Sequence, residues 1–465
     1  MTIATTMASV ETAPAMPTLS EATRVWAKIG LLSFGGPAGQ IALMHKELVE
    51  ERRWIGEQRF LHALNYCMLL PGPEAQQLAV YIGWLMHRTL GGLIAGLLFI
   101  IPGALVMLGL STLYVLYRQV PLVDGIFFGV KAAVLAVVIE AGLRISRRAL
   151  KNRAMVAVAI AAFIAIFLFK TPFPLIILAA GLVGWLGHRI RPDLFGAGAG
   201  HGASGPDVVG LVDQMFARGE MAHVRPSAGK ALRVLAIWLP LWLGPVFLLW
   251  LMTGGASVWT HLGTFFSTMA VVTFGGAYAV LAYVAQAAVE TYGWLVAGEM
   301  VDGLGLAETT PGPLILVLQF VGFLAGFRAP GSLPPLLAGG LGALLTLWVT
   351  FAPCFLWIFL GAPYVEALRG NKALSAALST ITAAVVGVIM NLALWFGLHV
   401  LFREVRRIEL LFASPDWPVL ASLDWRAALL SAAAMVAMLR FKIGMIPTLA
   451  ACATAGVIIT RLAGV

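Results

Sequence analysis

The chain has 465 residues, of which 60% are hydrophobic and 11% charged, with a net charge of +9 from 31 Lys+Arg against 22 Asp+Glu. A soluble domain carries about a quarter charged residues, so this chain has too few to cover a globule of its size. That excludes a soluble enzyme, a nucleic-acid-binding module and a disordered chain, and leaves a polytopic membrane protein whose excess Lys/Arg belongs to cytoplasmic loops and to a surface facing anionic lipid. The chain also holds 50 Gly and 24 Pro, which break helices and are tolerated in membranes only where the freed backbone has a use.

In chain order, residues 1–20 are polar, lack Lys and Arg, and read as a disordered tail rather than a signal peptide. Residues 20–44 form a weak, amphipathic span carrying Arg24 and Lys28. Strong spans of the length a bilayer needs follow at 90–117, 122–143, 154–170, 172–188, 231–252, 256–285, 333–361, 374–402, 419–439 and 443–463. Two pairs of segments are too short to cross alone, 60–70 with 74–87 and 294–306 with 311–327. Each pair is interrupted by Pro-Gly-Pro, at Pro71-Gly72-Pro73 and at Pro311-Gly312-Pro313. A polar linker, 191–230, with a glycine-rich run from Gly196 to Gly202, is expected to be flexible and divides the chain into repeats at 21–190 and 253–465. Helix 231–252 has no partner in the first repeat.

The repeats are related by sequence. Phe34-Gly35-Gly36 returns as Phe274-Gly275-Gly276, Trp54 as Trp294 and the first Pro-Gly-Pro as the second, always 240 residues on. Over positions 34–73 this offset gives 11 identities in 40, where chance would give about three. Further along the offset is 251, pairing Pro102 with Pro353 and Lys131 with Thr382. Loop 45–59 carries Lys46, Arg52, Arg53 and Arg59, while its counterpart 285–299 has no basic residue. By the positive-inside rule this favours opposite orientations of the two repeats, with helix 231–252 as the odd crossing. The expected fold class is therefore an all-α polytopic membrane protein built as two homologous halves, an inverted repeat with broken or half-membrane helices.

Four breaks carry the chemistry. A helix restarting at Pro73 exposes its first N–H groups and the positive end of its dipole, a ready anion site, and the amides of Gln76 and Gln77 add donors. The alternative is a simple proline turn; two copies between sub-length segments favour a functional break. Ser33, Phe34, Gly35, Gly36 and Gln40, matched by Thr273, Gly275 and Gly276, mark a second pair of breaks, for which close helix packing is the alternative. Thr310 and Gly312 complete the second Pro-Gly-Pro. Lys131 lies mid-span and should face a polar cavity, an anionic substrate, or a salt-bridge partner such as Asp124 or Glu140. Arg24 and Lys28 either face the same cavity or snorkel to the interface, and Arg88 and Arg328 read as helix-end anchors. Arg24, Lys28, His45 and Glu74 are candidates for proton handling or gating. No P-loop, no HExxH and no histidine cluster occurs, and Cys67, Cys354 and Cys452 read as small buried hydrophobes, so no ATP motor, metal, cofactor or enzyme activity is expected.

The order Phe34-Gly35-Gly36-Pro37 with Gln40, then His45, Glu47 and Trp54, then Pro71-Gly72-Pro73-Glu74 with Gln76, and a second half with Phe274–Gly276 and Pro311–Pro313, closely resembles the chromate ion transporter family, in its long two-domain form, from about Arg24 to Leu462. The resemblance implies a bacterial inner-membrane protein that moves chromate, with sulfate as the competing look-alike, usually as efflux giving resistance. A sulfate or other oxyanion exchanger or channel on the same architecture is the other reading. Expected partners are chromate, sulfate, membrane lipid and a second copy of the chain in a homodimer, with no nucleic acid. The second half departs from the motif: Ala277 replaces Pro37, and Leu314-Ile315-Leu316-Val317 replaces Glu74-Ala75-Gln76-Gln77, so the first half should dominate any polar contact to the substrate.

Overall fold

The computed structural model describes residues 16–195, 210–274, 277–364, 372–409 and 414–462. Among them only two three-residue strands, β1 (Val405–Arg407) and β2 (Asp416–Pro418), pair as a sheet, and the rest of the regular structure is helix. Seven helices are long and apolar enough to cross a membrane, and their outward faces carry exposed leucine, isoleucine and phenylalanine, as lipid-facing surfaces should. The two family-like halves appear as two sets of helices in the same order.

In the first half α1 (Leu19–Leu32) stops at the Phe-Gly-Gly break and α2 (Gly36–His45) continues through a π-helical turn at Lys46–Glu51. Next come α3 (Glu57–Cys67), the first Pro-Gly-Pro, and α4 (Glu74–Tyr117), which folds back on itself at His87 and Arg88. This fold-back brings Gly83 against the carbonyl of Gly91. α5 (Pro121–Ala149), α6 (Arg153–Phe169) and α7 (Phe173–Ile190) complete the half. Between the halves lie the short helices α8 (Pro192–Phe195) and α9 (Leu211–Ala217) and the apolar α10 (Ala228–Thr253). The second half repeats the plan: α11 (Val258–Val272), a break, α12 (Ala277–Gln286) with its own π-helical turn at Ala287–Thr291, α13 (Ala297–Thr309), Pro-Gly-Pro, α14 (Val317–Arg328), α15 (Pro335–Gly361) and α16 (Lys372–Leu401). It ends on α17 (Trp425–Met435) and α18 (Met445–Leu462). Span 256–285, expected as one helix, is thus two, because Thr273 and Phe274 are not helical. Helix α1 starts inside the expected tail; residues 1–15 lie outside the described residues.

Equivalent helices of the two halves cross antiparallel. On α5 and α16, Gly142 faces Ile389 and Met390 while Gly397 faces Leu135. On α4 and α15, Gly92 faces Phe359 and Gly96 faces Phe355. As position rises on one helix it falls on its equivalent, so the pseudo-twofold axis lies across the helices rather than along them. The last two helices of each half are exchanged. α6 and α7 pack on α16, with Gly387 on the carbonyl of Ala159, whereas α17 and α18 pack on α5, with Gly129 on the carbonyl of Cys452.

Prolines inside helices leave a carbonyl free one turn earlier, and in hydrocarbon that carbonyl needs a partner. Pro245 in α10 frees Leu241, and Trp348 of α15 donates its indole N–H to that oxygen at 2.7 Å. This bond pins an otherwise lipid-exposed helix to the bundle.

The linker expected to be flexible is bound to the first half from Gly210 to Val224; residues 196–209 lie outside the described residues. Leu211 and Val212 donate their N–H groups to the carbonyls of Arg53 and Trp54, both at 3.0 Å. Asp213 accepts from Gly56 N–H at 2.7 Å and from Arg59 Nε at 2.5 Å, and Arg59 also lies 3.8 Å over the ring of Phe216. Glu299 plays the same part in the second half, accepting from Val296 N–H at 2.9 Å and from Arg328 at 2.6 Å. Val296 and Glu299 stand 240 residues after Gly56 and Arg59. Where the second half has a carboxylate, the first has an arginine, and the linker supplies the missing anion. Arg328 anchors its helix end as expected, also bonding the Trp294 carbonyl at 2.8 Å; Arg88 is exposed at the α4 fold-back, with φ of 55°, and the Trp54 carbonyl accepts from Val212.

Two variants test this packing. An alanine at Gly103 would place its Cβ 2.0 Å from the Pro311 carbonyl oxygen, whereas Gly109 on the same helix has open space. Gly103→Ala should therefore cost at least about 1–3 kcal/mol, seen as a lower unfolding temperature in detergent, with Gly109→Ala unaffected. Asp213→Ala should cost about 1 kcal/mol, as loss of a helix-capping acceptor does, and speed proteolytic cleavage between Gly210 and Val224 severalfold.

Candidate functional site

The two kinds of break meet across the repeats. Gly72, held at φ of 122°, donates its N–H to the Thr273 carbonyl at 2.8 Å, and Gly312, at φ of 88°, donates to the Ser33 carbonyl at 2.8 Å. These backbone angles are open to glycine and strained for other residues. Each Pro-Gly-Pro tip thus closes on the helix break of the other half. Carbonyls at the end of α1 and α11, which have no partner in their own helices, receive the N–H groups that the tips expose.

Side chains then clasp the tips. Gln40 donates its amide to the Gly312 carbonyl at 2.6 Å, and Gln77 donates to the Pro71 carbonyl at 2.7 Å. Both are candidate substrate donors by sequence, and each gives an Nε2 hydrogen to the backbone of a break. The expected hydroxyls are also committed. Ser33 donates to Ile29 at 2.6 Å, Thr273 to Met269 at 2.5 Å and Thr310 to Ala307 at 3.0 Å, so each has given its only proton to a carbonyl. Phe34 is partly exposed at 36%. Gly275 and Gly276 lie outside the described residues.

One expected donor is left free at the tip of the first half. Helix α4 begins at Glu74 with Pro73 as its cap residue and no side chain capping it. Gln76, in that first turn, is fully buried, and neither atom of its amide has a hydrogen-bond partner. A buried amide without a partner costs about 1–3 kcal/mol. Here it sits beside uncapped N–H groups and the positive end of a helix dipole. Glu74 is half-buried beside it. The second tip offers Leu314–Leu316, a short 3-10 turn without polar side chains.

Lys131 is not brought to these breaks. Its ammonium lies 3.5 Å from Asp302 of α13, in the other half, rather than beside Asp124 or Glu140. Tyr114 donates to the same carboxylate at 2.9 Å and Arg118 stands 3.5 Å from it, while Asp124 pairs with Arg118 at 2.5 Å and Glu140 with Arg144. Asp302 is near the middle of α13, roughly 10 Å along the helix from its Thr309 end, beyond which lies the second Pro-Gly-Pro tip. The reason is electrostatic: Asp302 is buried at 1% side-chain exposure and needs cations. Arg24 is exposed; Lys28 pairs with the buried Glu47, which Arg52 also approaches at 3.5 Å. His45 lies 2.6 Å from Glu57 and 3.0 Å from Glu50.

Comparison with known proteins fits this architecture. A family model described as chromate transporter matches residues 20–185 and 260–457, once in each half. The chain belongs to the chromate transporter family. Among relatives, a chromate transport protein of Pseudomonas aeruginosa is 33% identical over 368 residues, covering 78% of this chain and 77% of the relative. One from Cupriavidus metallidurans is 28% identical over 386 residues, 83% and 84% of the two chains. A probable chromate transport protein of Synechococcus elongatus is 27% identical over 379 residues, 82% and 84%. No solved structure matches the chain. Family membership and seven apolar helices make it a multi-pass membrane protein.

Sequence reasoning missed Asp302, Arg118 and Tyr114, and a second buried acid, Glu308, bound to Tyr278. The available signal was Asp302 inside the sub-length segment 294–306 and Glu308 just beyond it, acids that membrane proteins keep only with a partner or a use. In the inter-repeat cluster, Asp302→Leu should destabilise by about 3–5 kcal/mol, since it leaves buried cations unpaired. Adding Lys131→Met should recover part of that loss; additive losses in thermal unfolding would show that the two residues do not interact.

Proposed function

We propose that this protein is a secondary transporter that carries chromate, with sulfate as a competing dianion, across the bacterial inner membrane. It works by alternating access between two inverted halves and confers resistance by efflux. Chromate as cargo rests on the relatives named as chromate transport proteins, which match over most of the chain. The repeats are taken as 21–190 and 253–465, with 231–252 as the helix that reverses the second. The antiparallel crossing of equivalent helices supports the inversion, because helices that cross a membrane then place the twofold axis in its plane.

The observation that carries the anion reading is Gln76: a buried amide with both atoms unpartnered, in the first turn of an uncapped helix, at the end of a broken segment. A tetrahedral dianion supplies the acceptor that site lacks, taking hydrogen bonds from Gln76 Nε2 and from free backbone N–H groups. The Gly72–Thr273 and Gly312–Ser33 bonds fix the two breaks around it, and rocking about them exposes the anion to either side. Outward movement of negative charge is favoured by an inside-negative potential, about 2.3 kcal/mol per charge per 100 mV.

Vesicles reconstituted with the protein and given labelled chromate or sulfate test this. Saturable flux of chromate, inhibited by sulfate, is expected; a large unsaturable conductance would instead make the protein a channel. Gln76→Leu should raise the KM for chromate roughly tenfold or more, the worth of a hydrogen bond to a charged group at about 1.5–3 kcal/mol, without loss of folded protein. An unchanged KM would remove Gln76 from the site.

A further inference from the structure

Glu308 is a buried carboxylate that the anion site does not explain. It lies one residue before the end of α13 and four before Gly312, and is 2% exposed. Its Oε1 accepts a hydrogen bond from the Tyr278 hydroxyl at 2.6 Å, which ties the helix before the second Pro-Gly-Pro to the first turn of α12, just after the second helix break. Among the described residues no basic nitrogen lies within ion-pair distance of it. The charged groups of α5 that face it are Glu140 and Arg144, and these are paired with each other. α13 also packs on α4, α14 and α16, and Tyr114 of α4 and Arg118 just after it meet α13 at Asp302, six residues before Glu308. Asp302 has cations, and Glu47 has Lys28 and Arg52; Glu308 has a phenol.

A carboxylate buried without a cation is stable only when it can give up its charge. Its position beside a break that closes around a dianion makes the conflict sharper, because the arriving anion repels it and a proton removes the repulsion. Resting on the anion-site reading above, we infer that Glu308 is the proton carrier of the transport cycle. Its carboxylate takes up a proton from the side on which the anion enters, stays neutral while the anion is held between the halves, and releases that proton on the side where the anion leaves. Tyr278 steadies the charged form when the site is empty. Anion and proton therefore move together, and each chromate carries less net charge across the membrane than it does in solution.

The test is made in proteoliposomes that hold a trapped pH dye. Wild-type protein should carry protons along with labelled chromate, and flux should fall about tenfold per pH unit on the alkaline limb, as titration of a single carrier requires. Glu308→Gln should lose the dye response and that alkaline limb while still exchanging labelled for unlabelled chromate. Proton movement per chromate unchanged in Glu308→Gln, or chromate flux without protons in the wild type, would overturn the inference and leave the anion-site reading standing. Absence of any chromate flux in folded wild-type protein would overturn both. Tyr278→Phe keeps the carboxylate and removes its donor, so the pH midpoint of flux should move upward; an unmoved midpoint would overturn the inference even if Glu308→Gln fails to fold.

Discussion

Two backbone hydrogen bonds hold the centre of this molecule: Gly72 to Thr273 and Gly312 to Ser33. They exist because a broken helix in a membrane creates two kinds of unpaired group, carbonyls where it stops and N–H groups where the chain turns back. Water cannot satisfy either there. The fold solves this by matching the surplus of one half to the deficit of the other. The positive φ at both glycines, Gln40 and Gln77 clasping the tips, and the tight seat of Gly103 on the Pro311 carbonyl all follow from keeping those two bonds in place.

On this nearly symmetric frame the polar side chains are not symmetric. The first tip carries Gln76 and Gln77 where the second carries Leu316 and Val317, and Lys131 stands where the second half has Thr382. Asp302 takes the place corresponding to His62, and Glu308 that of Met68. The backbone supplies two equivalent breaks, and the side chains beside them differ: amides at the first, a buried acid at the second. Even the helix-capping carboxylate is divided, supplied within the second half by Glu299 and brought to the first by Asp213 of the linker.

The breaks and the duplication were legible in the sequence because both rest on local rules. Gly and Pro punctuate helices wherever they stand, and a 240-residue offset needs no structure to be seen. What each break touches was not legible, since Gly72 and Thr273 are brought together by the chain's path and carry no mark of their pairing. For Lys131 the sequence offers a polar cavity, an anionic substrate or a partner such as Asp124 or Glu140, and the partner it meets is Asp302 on another helix. The hydroxyls of Ser33 and Thr273 read as candidate ligands, and each donates to the backbone carbonyl one turn earlier in its own helix, a contact that the sequence does not mark. The docking of Gly210–Val224 was hidden for a similar reason: it is led by the main-chain N–H groups of Leu211 and Val212, which every residue but proline has.

The reciprocal closure has a consequence for how such a protein can be divided. A polypeptide consisting of one half alone would carry a tip with no break to close on and a break with no tip to close it, and its last two helices would lack the neighbour they pack against. It could satisfy itself only by meeting another copy turned about the same twofold axis, head against tail. Joining two halves in one chain removes that search for a mate. Once joined, the halves are free to diverge, because a substitution in one is no longer imposed on both.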